Sequence, residues 1–212
     1  MPEIRVAIVG VGNCASALVQ GLYRYRGSDE EEVPGLMHLK LGGYRVRDVI
    51  PVAAFDVDVR KVGKDLSEAI FAPPNCAWKF SEVPHMGVEV MMGKVNDGVP
   101  LHLAKFVQTA KGEPVDVAGL LKEKKVDVLI NLLPTGSTEA TRFYMDQAIK
   151  KAKVGVVNGI PEMIASSEEY AKASEENKVP IVGDDFKSQI GATILHRALA
   201  KLSYDRGVKI KR

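Results

Sequence analysis

Cysteine is scarce in this sequence, with only Cys14 and Cys76 in 212 residues. They form neither a CxxC pair nor a metal-ligand spacing. That excludes a disulfide framework, gives no support for a metal site, and predicts a reducing, cytoplasmic setting. Aromatic residues are equally sparse at 6%, with a single Trp. The net charge is only +2, and no basic cluster is interleaved with aromatics, so nucleic acid is not an expected partner. No apolar run approaches the roughly 18 residues of a membrane span, and no signal peptide precedes the first apolar stretch. What remains is ordinary for a globular α/β protein: 46% hydrophobic and 26% charged residues. The length suits one domain, or one and a piece.

The most informative stretch is Arg5 to Leu22, RVAIVGVGNCASALVQGL. Val6 to Val9 reads as a strand buried on both faces, and Ala15, Leu18, Val19 and Leu22 lie on one side of a helix. Between them stands Gly10-Val-Gly12-Asn13-Cys14-Ala15, a GxGxxA form of the dinucleotide-binding turn. Gly10 permits the tight turn, Gly12 lets a pyrophosphate approach the backbone, and Ala15 lets helix and strand pack closely. The N–H groups at the helix start, with the helix dipole behind them, favour phosphate. The bland alternative is a doubly wound domain whose glycine turn binds nothing. Cys14 reads as a small filler, since no base stands beside it.

Residues 26–50 form an insertion before the second strand, with an acidic loop and a turn at Gly42-Gly43. Strand two, Val52 to Asp56, ends in the acidic residue that such folds set against the adenosine ribose. Asp58 is expected to cap a helix over Arg60 to Phe71, leaving Asp56 for the ligand. Val88 to Met92 is a possible strand within an irregular stretch. Further elements follow: helix Pro114 to Lys124, strand Val126 to Leu132, helix Thr138 to Ala152, strand Val154 to Asn158, a helix near Glu168 to Asn177, and strand Pro180 to Val182. The alternation predicts a Rossmann-type doubly wound, mostly parallel α/β sheet.

A second cluster, GDDFKSQIGAT from Gly183 to Thr193, precedes a helix over Ala192 to Tyr204. Asp184, Asp185, Lys187, Ser188 and Gln189 crowd this junction. Ser188, Gln189 and nearby N–H groups suit a phosphate, with Lys187 adding charge. Equally, the two carboxylates fit as helix caps paired with Lys187. His196, mid-helix, is expected to be packed.

The stretches VAIVGVGNCASALVQGL, VPGLMH, VAAFDVD, VDVLINLLPTGS and above all VPIVGDDFKSQIGATILHRALAKL resemble the bacterial and archaeal inositol-3-phosphate synthases. The resemblance runs from about Ile4 to the last residue. It implies a redox-neutral use of NAD: glucose 6-phosphate is oxidised at C5, loses a C6 proton, closes on its C1 aldehyde and is reduced to inositol phosphate. It also implies that Gly10, Gly12, Asn13, Cys14 and Ala15 hold the pyrophosphate and Asp56 the ribose. Asn131, Leu132, Pro134 and Gly136 would border the cofactor, and Asp65 and Tyr144 match positions linked to it. Asp185 matches the active-site aspartate, with Lys187 beside it, and Ser188 and Gln189 match the substrate loop.

Family members continue beyond Arg212 through a segment carrying catalytic lysines. The expected organisation is therefore a NAD-binding unit over 1–182 and the beginning of a catalytic, oligomerising domain over 183–212. Completion would come from a homo-oligomer, a tetramer in the family, or from a second chain supplying the rest. The chain alone is expected to bind NAD without cyclising glucose 6-phosphate. A conventional NAD-dependent dehydrogenase and a non-catalytic NAD-binding subunit remain open. Asp56, with no Arg directly after it, predicts NADP binding at least about tenfold weaker than NAD.

Overall fold

The structure is a computed structural model that describes residues 3–28, 33–99, 101, 104–186 and 191–209. Six strands form one parallel sheet: β1 (Ile4–Val9), β2 (Val49–Asp56), β3 (Val90–Met92), β4 (Val128–Asn131), β5 (Gly155–Asn158) and β6 (Ile181–Val182). Their order is β3-β2-β1-β4-β5-β6 and every pairing is parallel. That is the doubly wound order, with its reversal between β1 and β4.

Strand alternation divides the core in two. Ala7 and Val9 of β1, with Phe55 and Leu129, face α3 (Val117–Glu123), α4 (Thr138–Met145) and α5 (Glu168–Asn177). Ile8 and Ala54 face α1 (Asn13–Arg24) and α2 (Leu66–Ala69). A strand buried on both faces needs apolar residues at consecutive positions, as Val6 to Val9 supply.

Helix α1, the turn at Gly42-Gly43 and strand β3 lie where the sequence predicts them. The acidic loop at 29–32 lies outside the described residues. The helix expected over Thr138 to Ala152 ends as a π-helical segment from Asp146 to Ala152. The helix expected over Arg60 to Phe71 shrinks to the four residues of α2, and its cap is Asp65 rather than Asp58. Gly63 at φ +81 interrupts the pattern, and Asp58 caps only the tight turn at Arg60.

The irregular stretch from Ala72 to Lys94 is held by side chains from distant positions. Asn13 Oδ1 accepts the N–H groups of Cys76 and Ala77, and buried Gln20 accepts those of Phe80 and Ser81. Asp65 accepts those of Met86 and Val88. Backbone without a ladder still requires partners, and three polar side chains supply them here.

Helix α6 (Ala192–Asp205) leaves Leu195, Leu199 and Leu202 more than half exposed. His196, expected to be packed, is also exposed.

Candidate functional site

A cavity of about 660 Å³ opens over the C-terminal ends of β1, β2, β4 and β5, lined by Gly10, Gly12, Asp56, Leu132 and Gly159 among others. This is the switch-point crevice, where open α/β sheets bind ligands.

The two turn glycines differ. Gly10 has φ +86, and a Cβ there would stand 2.7 Å from the Leu132 carbonyl oxygen. Its lack of a side chain is required by the fold. Gly12 has φ −91, and no protein atom lies within 4 Å of the place a Cβ would occupy. The fold leaves that space open. Gly12 is also the N-cap of α1 without a capping side chain, so the first N–H groups of the helix are available to an anion.

Asp56 ends β2 and is tied back to the turn. Its Oδ2 accepts the Val11 N–H at 2.8 Å, and its Oδ1 accepts those of Val57 and Asp58 at 2.7 and 2.8 Å. Its side chain is only partly buried, and a carboxylate has about four acceptor positions, so one remains for a ribose hydroxyl. Asp58, 1% exposed, is paired with Arg60. Burial works to raise its pKa, but the bonds and charge of Arg60 outweigh this and hold it below the usual range.

Asn131 and Asn158 form a buried polar bridge beneath the cavity. Asn131 Nδ2 donates to Asn158 Oδ1 at 2.9 Å, and Asn158 Nδ2 donates to Asp184 Oδ1 at 2.9 Å. Asp184 also accepts the N–H groups of Ile164, Ala165 and Ser166 at 2.9–3.1 Å. Burial would raise its pKa, yet these donors together lower it. Asp184 therefore caps the 164–166 turn and not α6. Asp185 is different: it lines the cavity, is exposed, and holds φ +76. An aspartate in the left-handed region is uncommon, although Asp tolerates it better than most residues.

The cavity thus gathers Gly10, Gly12, Asn13, Cys14, Asp56, Leu132, Pro134, Tyr144 and Asp185. Cys14 is exposed at its wall. Ala15 is fully buried behind the turn, and Asn131 lies beneath it. Gly136, with φ +92, shapes the loop before α4 without lining the cavity. Asp65 is likewise outside the lining and spends its carboxylate on α2 and the segment 86–88. Lys187, Ser188 and Gln189 lie outside the described residues. Lys61, Asn75, Lys94 and Phe106 line the cavity although no motif marks them. For Lys61 the only signal was its place five residues after Asp56.

Tyr144 is buried under the cavity floor, and its pKa is pushed up first by burial and then by Asp56. Its hydroxyl occupies the place a Cβ on Gly93 would take, which fixes the loop after β3. Among the described residues no group of three or more His, Cys, Asp or Glu could hold a metal, and no helix is long and apolar enough to cross a membrane.

No protein-family model matches the chain. It is 57% identical over 211 residues to inositol-3-phosphate synthase of Mycolicibacterium smegmatis, covering 99% of this chain and 58% of that protein. The chain is homologous to the inositol-3-phosphate synthases. The proteins of that name from Mycobacterium tuberculosis and Corynebacterium glutamicum are 55% and 51% identical to it, again over 99% of this chain. The chain spans under three-fifths of the length of these synthases, 57–58%. Among solved structures, Ari2 is 36% identical with a TM-score of 0.83, covering 97% of this chain and 61% of its own. A myo-inositol-1-phosphate synthase-related protein from Thermotoga maritima shares the fold at a TM-score of 0.75, with 23% identity, 97% of this chain and 60% of its own. The α/β architecture is thus that of synthase-related proteins.

Proposed function

We propose that the cavity binds NAD and that the chain forms the cofactor-holding part of an inositol-3-phosphate synthase acting on glucose 6-phosphate. The observation that carries the cofactor is the contrast between Gly10, required by the fold, and Gly12, beside which the fold leaves room. The chemistry is supported by homology to proteins of that name.

When bound, the nicotinamide supplies a hydride acceptor and later a hydride donor. This chain's residues bind and orient. The N–H groups at the start of α1, from Asn13, Cys14 and Ala15, would meet the pyrophosphate. Asp56 would accept from the adenosine ribose through the position its backbone partners leave free. Leu132 and Pro134 would border the cofactor, with Asn131 and Gly136 shaping the β4 loop around it. Tyr144 would hold the floor. Asp185 would present its carboxylate to the hydroxyl groups of the sugar, while Lys187, Ser188 and Gln189 would take the substrate phosphate. Residues 183–212 would begin a second unit, and the exposed leucines of α6 fit a face covered by a homo-oligomer partner or a further polypeptide. A cytoplasmic location follows from this reading.

Calorimetric titration of the 212-residue chain with NAD tests the cofactor, and absence of binding would sink it. For the reaction, an assembly of the length of its relatives should convert glucose 6-phosphate to inositol phosphate on catalytic NAD without accumulating NADH, while the 212-residue chain alone makes none. Accumulating NADH would instead identify a conventional dehydrogenase.

A further inference from the structure

Lys61 is a buried lysine in the cavity wall, its side chain 6% exposed. Its ammonium donates to Asn75 Oδ1 at 2.9 Å and lies 3.9 Å from Asp56 Oδ2. Both neighbours grip Val11, the middle residue of the glycine turn. Asp56 Oδ2 accepts the Val11 N–H at 2.8 Å, and Asn75 Nδ2 donates to the Val11 carbonyl at 3.0 Å. Val11, Asp56, Lys61 and Asn75 therefore close a ring around the two peptide groups that flank Val11. The ring fixes a side chain that is otherwise flexible and holds its charge in one place.

A strut for the turn does not need a charge. Asp56 already accepts three backbone N–H groups, and burying an ammonium carries a desolvation cost that an uncharged side chain avoids. Among the described residues, the neighbouring charges Asp58 and Arg60 are committed to each other. Arg60 pairs with Asp58 and donates to the Phe106 carbonyl, which leaves Lys61 as the cation beside Asp56. An ammonium has three donors, and Asn75 takes one of them while Asp56 is an ion-pair neighbour at 3.9 Å.

In dinucleotide folds, the acidic residue ending the second strand faces the adenosine ribose 2′ oxygen. Alone, it repels a phosphate there. Here a cation stands 3.9 Å from Oδ2 of that carboxylate. We propose that Lys61 sets the cofactor selectivity of this site: its ammonium offsets Asp56 and takes up the charge of a 2′-phosphate, so that NADP is admitted alongside NAD. The inference rests on the dinucleotide reading above and replaces the strong discrimination that Asp56 alone predicts.

The test is calorimetric titration of the folded chain with NAD and with NADP, in the unaltered protein and in Lys61→Met and Lys61→Gln. The unaltered chain should discriminate between the two by less than about tenfold, and both variants should widen that ratio by at least tenfold, chiefly through weaker NADP. Competition in the unaltered protein adds a measurement free of folding effects: adenosine 2′-monophosphate should displace NAD at least as well as the 5′-monophosphate. A preference for NAD of tenfold or more, no displacement by the 2′-monophosphate, or parallel loss of both dinucleotides in the variants would each overturn the proposal. The last outcome would leave Lys61 as a strut of the turn. Binding of neither dinucleotide by the unaltered, folded chain would overturn the cofactor reading itself and this inference with it.

Discussion

Asp184 Oδ1 accepts the side-chain amide of Asn158 at 2.9 Å, and this bond separates the work of two adjacent carboxylates. Asp184 holds Asn158 and three backbone N–H groups, whereas Asp185 turns toward the cavity at φ +76. Asp184→Ala should therefore cost on the order of 2–3 kcal/mol, because charged hydrogen bonds are lost and several buried donors are orphaned. Asp185→Asn should leave the melting temperature within a few degrees, since asparagine also tolerates this backbone region. In an active assembly it should remove most of the turnover with little change in NAD affinity. Thermal melts and turnover of the two variants decide the matter. A large stability loss in Asp185→Asn with turnover intact would reverse the assignment.

Gly10 and Gly12 should fail in opposite ways when given a methyl group. Gly10→Ala places a Cβ 2.7 Å from the Leu132 carbonyl oxygen at φ +86, which should destabilise the fold by about 2 kcal/mol or more. Gly12→Ala meets no protein atom within 4 Å and has φ −91, so its stability should change by less than about 1 kcal/mol. Its NAD affinity should nevertheless fall at least about tenfold, roughly 1.4 kcal/mol. Denaturant melts and NAD titrations of both variants provide the comparison. Unchanged affinity in Gly12→Ala would mean that the open space beside Gly12 is not where the pyrophosphate sits.

The sheet was legible because its strands carry consecutive apolar residues and its turn carries glycines at local spacing. Val6 to Val9, Gly10, Gly12 and Asp56 declare themselves within short windows. Lys61 and Asn75 do not, because their partners Asp56 and Val11 meet them only through the folded crossovers. The same holds for Ala72 to Lys94, whose backbone is satisfied by Asn13, Gln20 and Asp65 rather than by any periodic ladder. The helix expected over Arg60 to Phe71 failed for a local reason: Gly63 takes a positive φ, and Asp65 starts the helix late. Within GDDFKSQ, Asp184 holds the 164–166 turn rather than the helix that follows, which no local spacing announced, and Asp185 lines the cavity.

Acid should unfold this domain through a small set of carboxylates. Asp58, Asp65 and Asp184 all have pKa values below their ordinary range, because hydrogen bonds and, for Asp58, the charge of Arg60 outweigh the opposing effect of burial. A lowered folded pKa contributes stability above the unfolded value of about 3.9, and that stability is lost as pH falls through the folded value. Stability from these groups should thus be level from neutral pH down to about pH 5 and fall steeply below about pH 4. Denaturant melts across that range provide the check, and Asp184→Asn should flatten the acid limb. A loss of stability centred near pH 6 would point to other groups.

Asp65 offers the sharpest separation between a structural carboxylate and a cofactor ligand. Its Oδ1 accepts the Ser67 N–H at 3.0 Å as the cap of α2, and it also accepts the N–H groups of Met86 and Val88 at 3.1 and 2.9 Å. Removing it orphans donors on two segments at once. Helix α2 would lose its cap, and the approach to β3 would lose the anchor that sets its register beside β2. Loss of a cap alone typically costs about 1 kcal/mol, and each further buried donor left without a partner adds about 1–3 kcal/mol. Asp65→Ala should therefore lower stability by at least about 2 kcal/mol while leaving NAD affinity within about threefold in the folded fraction. Asp65→Asn, which keeps one acceptor oxygen, should recover part of the stability. NAD titration well below each variant's melting temperature separates the two roles: a tenfold or greater affinity loss at unchanged stability would make Asp65 a cofactor ligand and contradict its placement beneath α2.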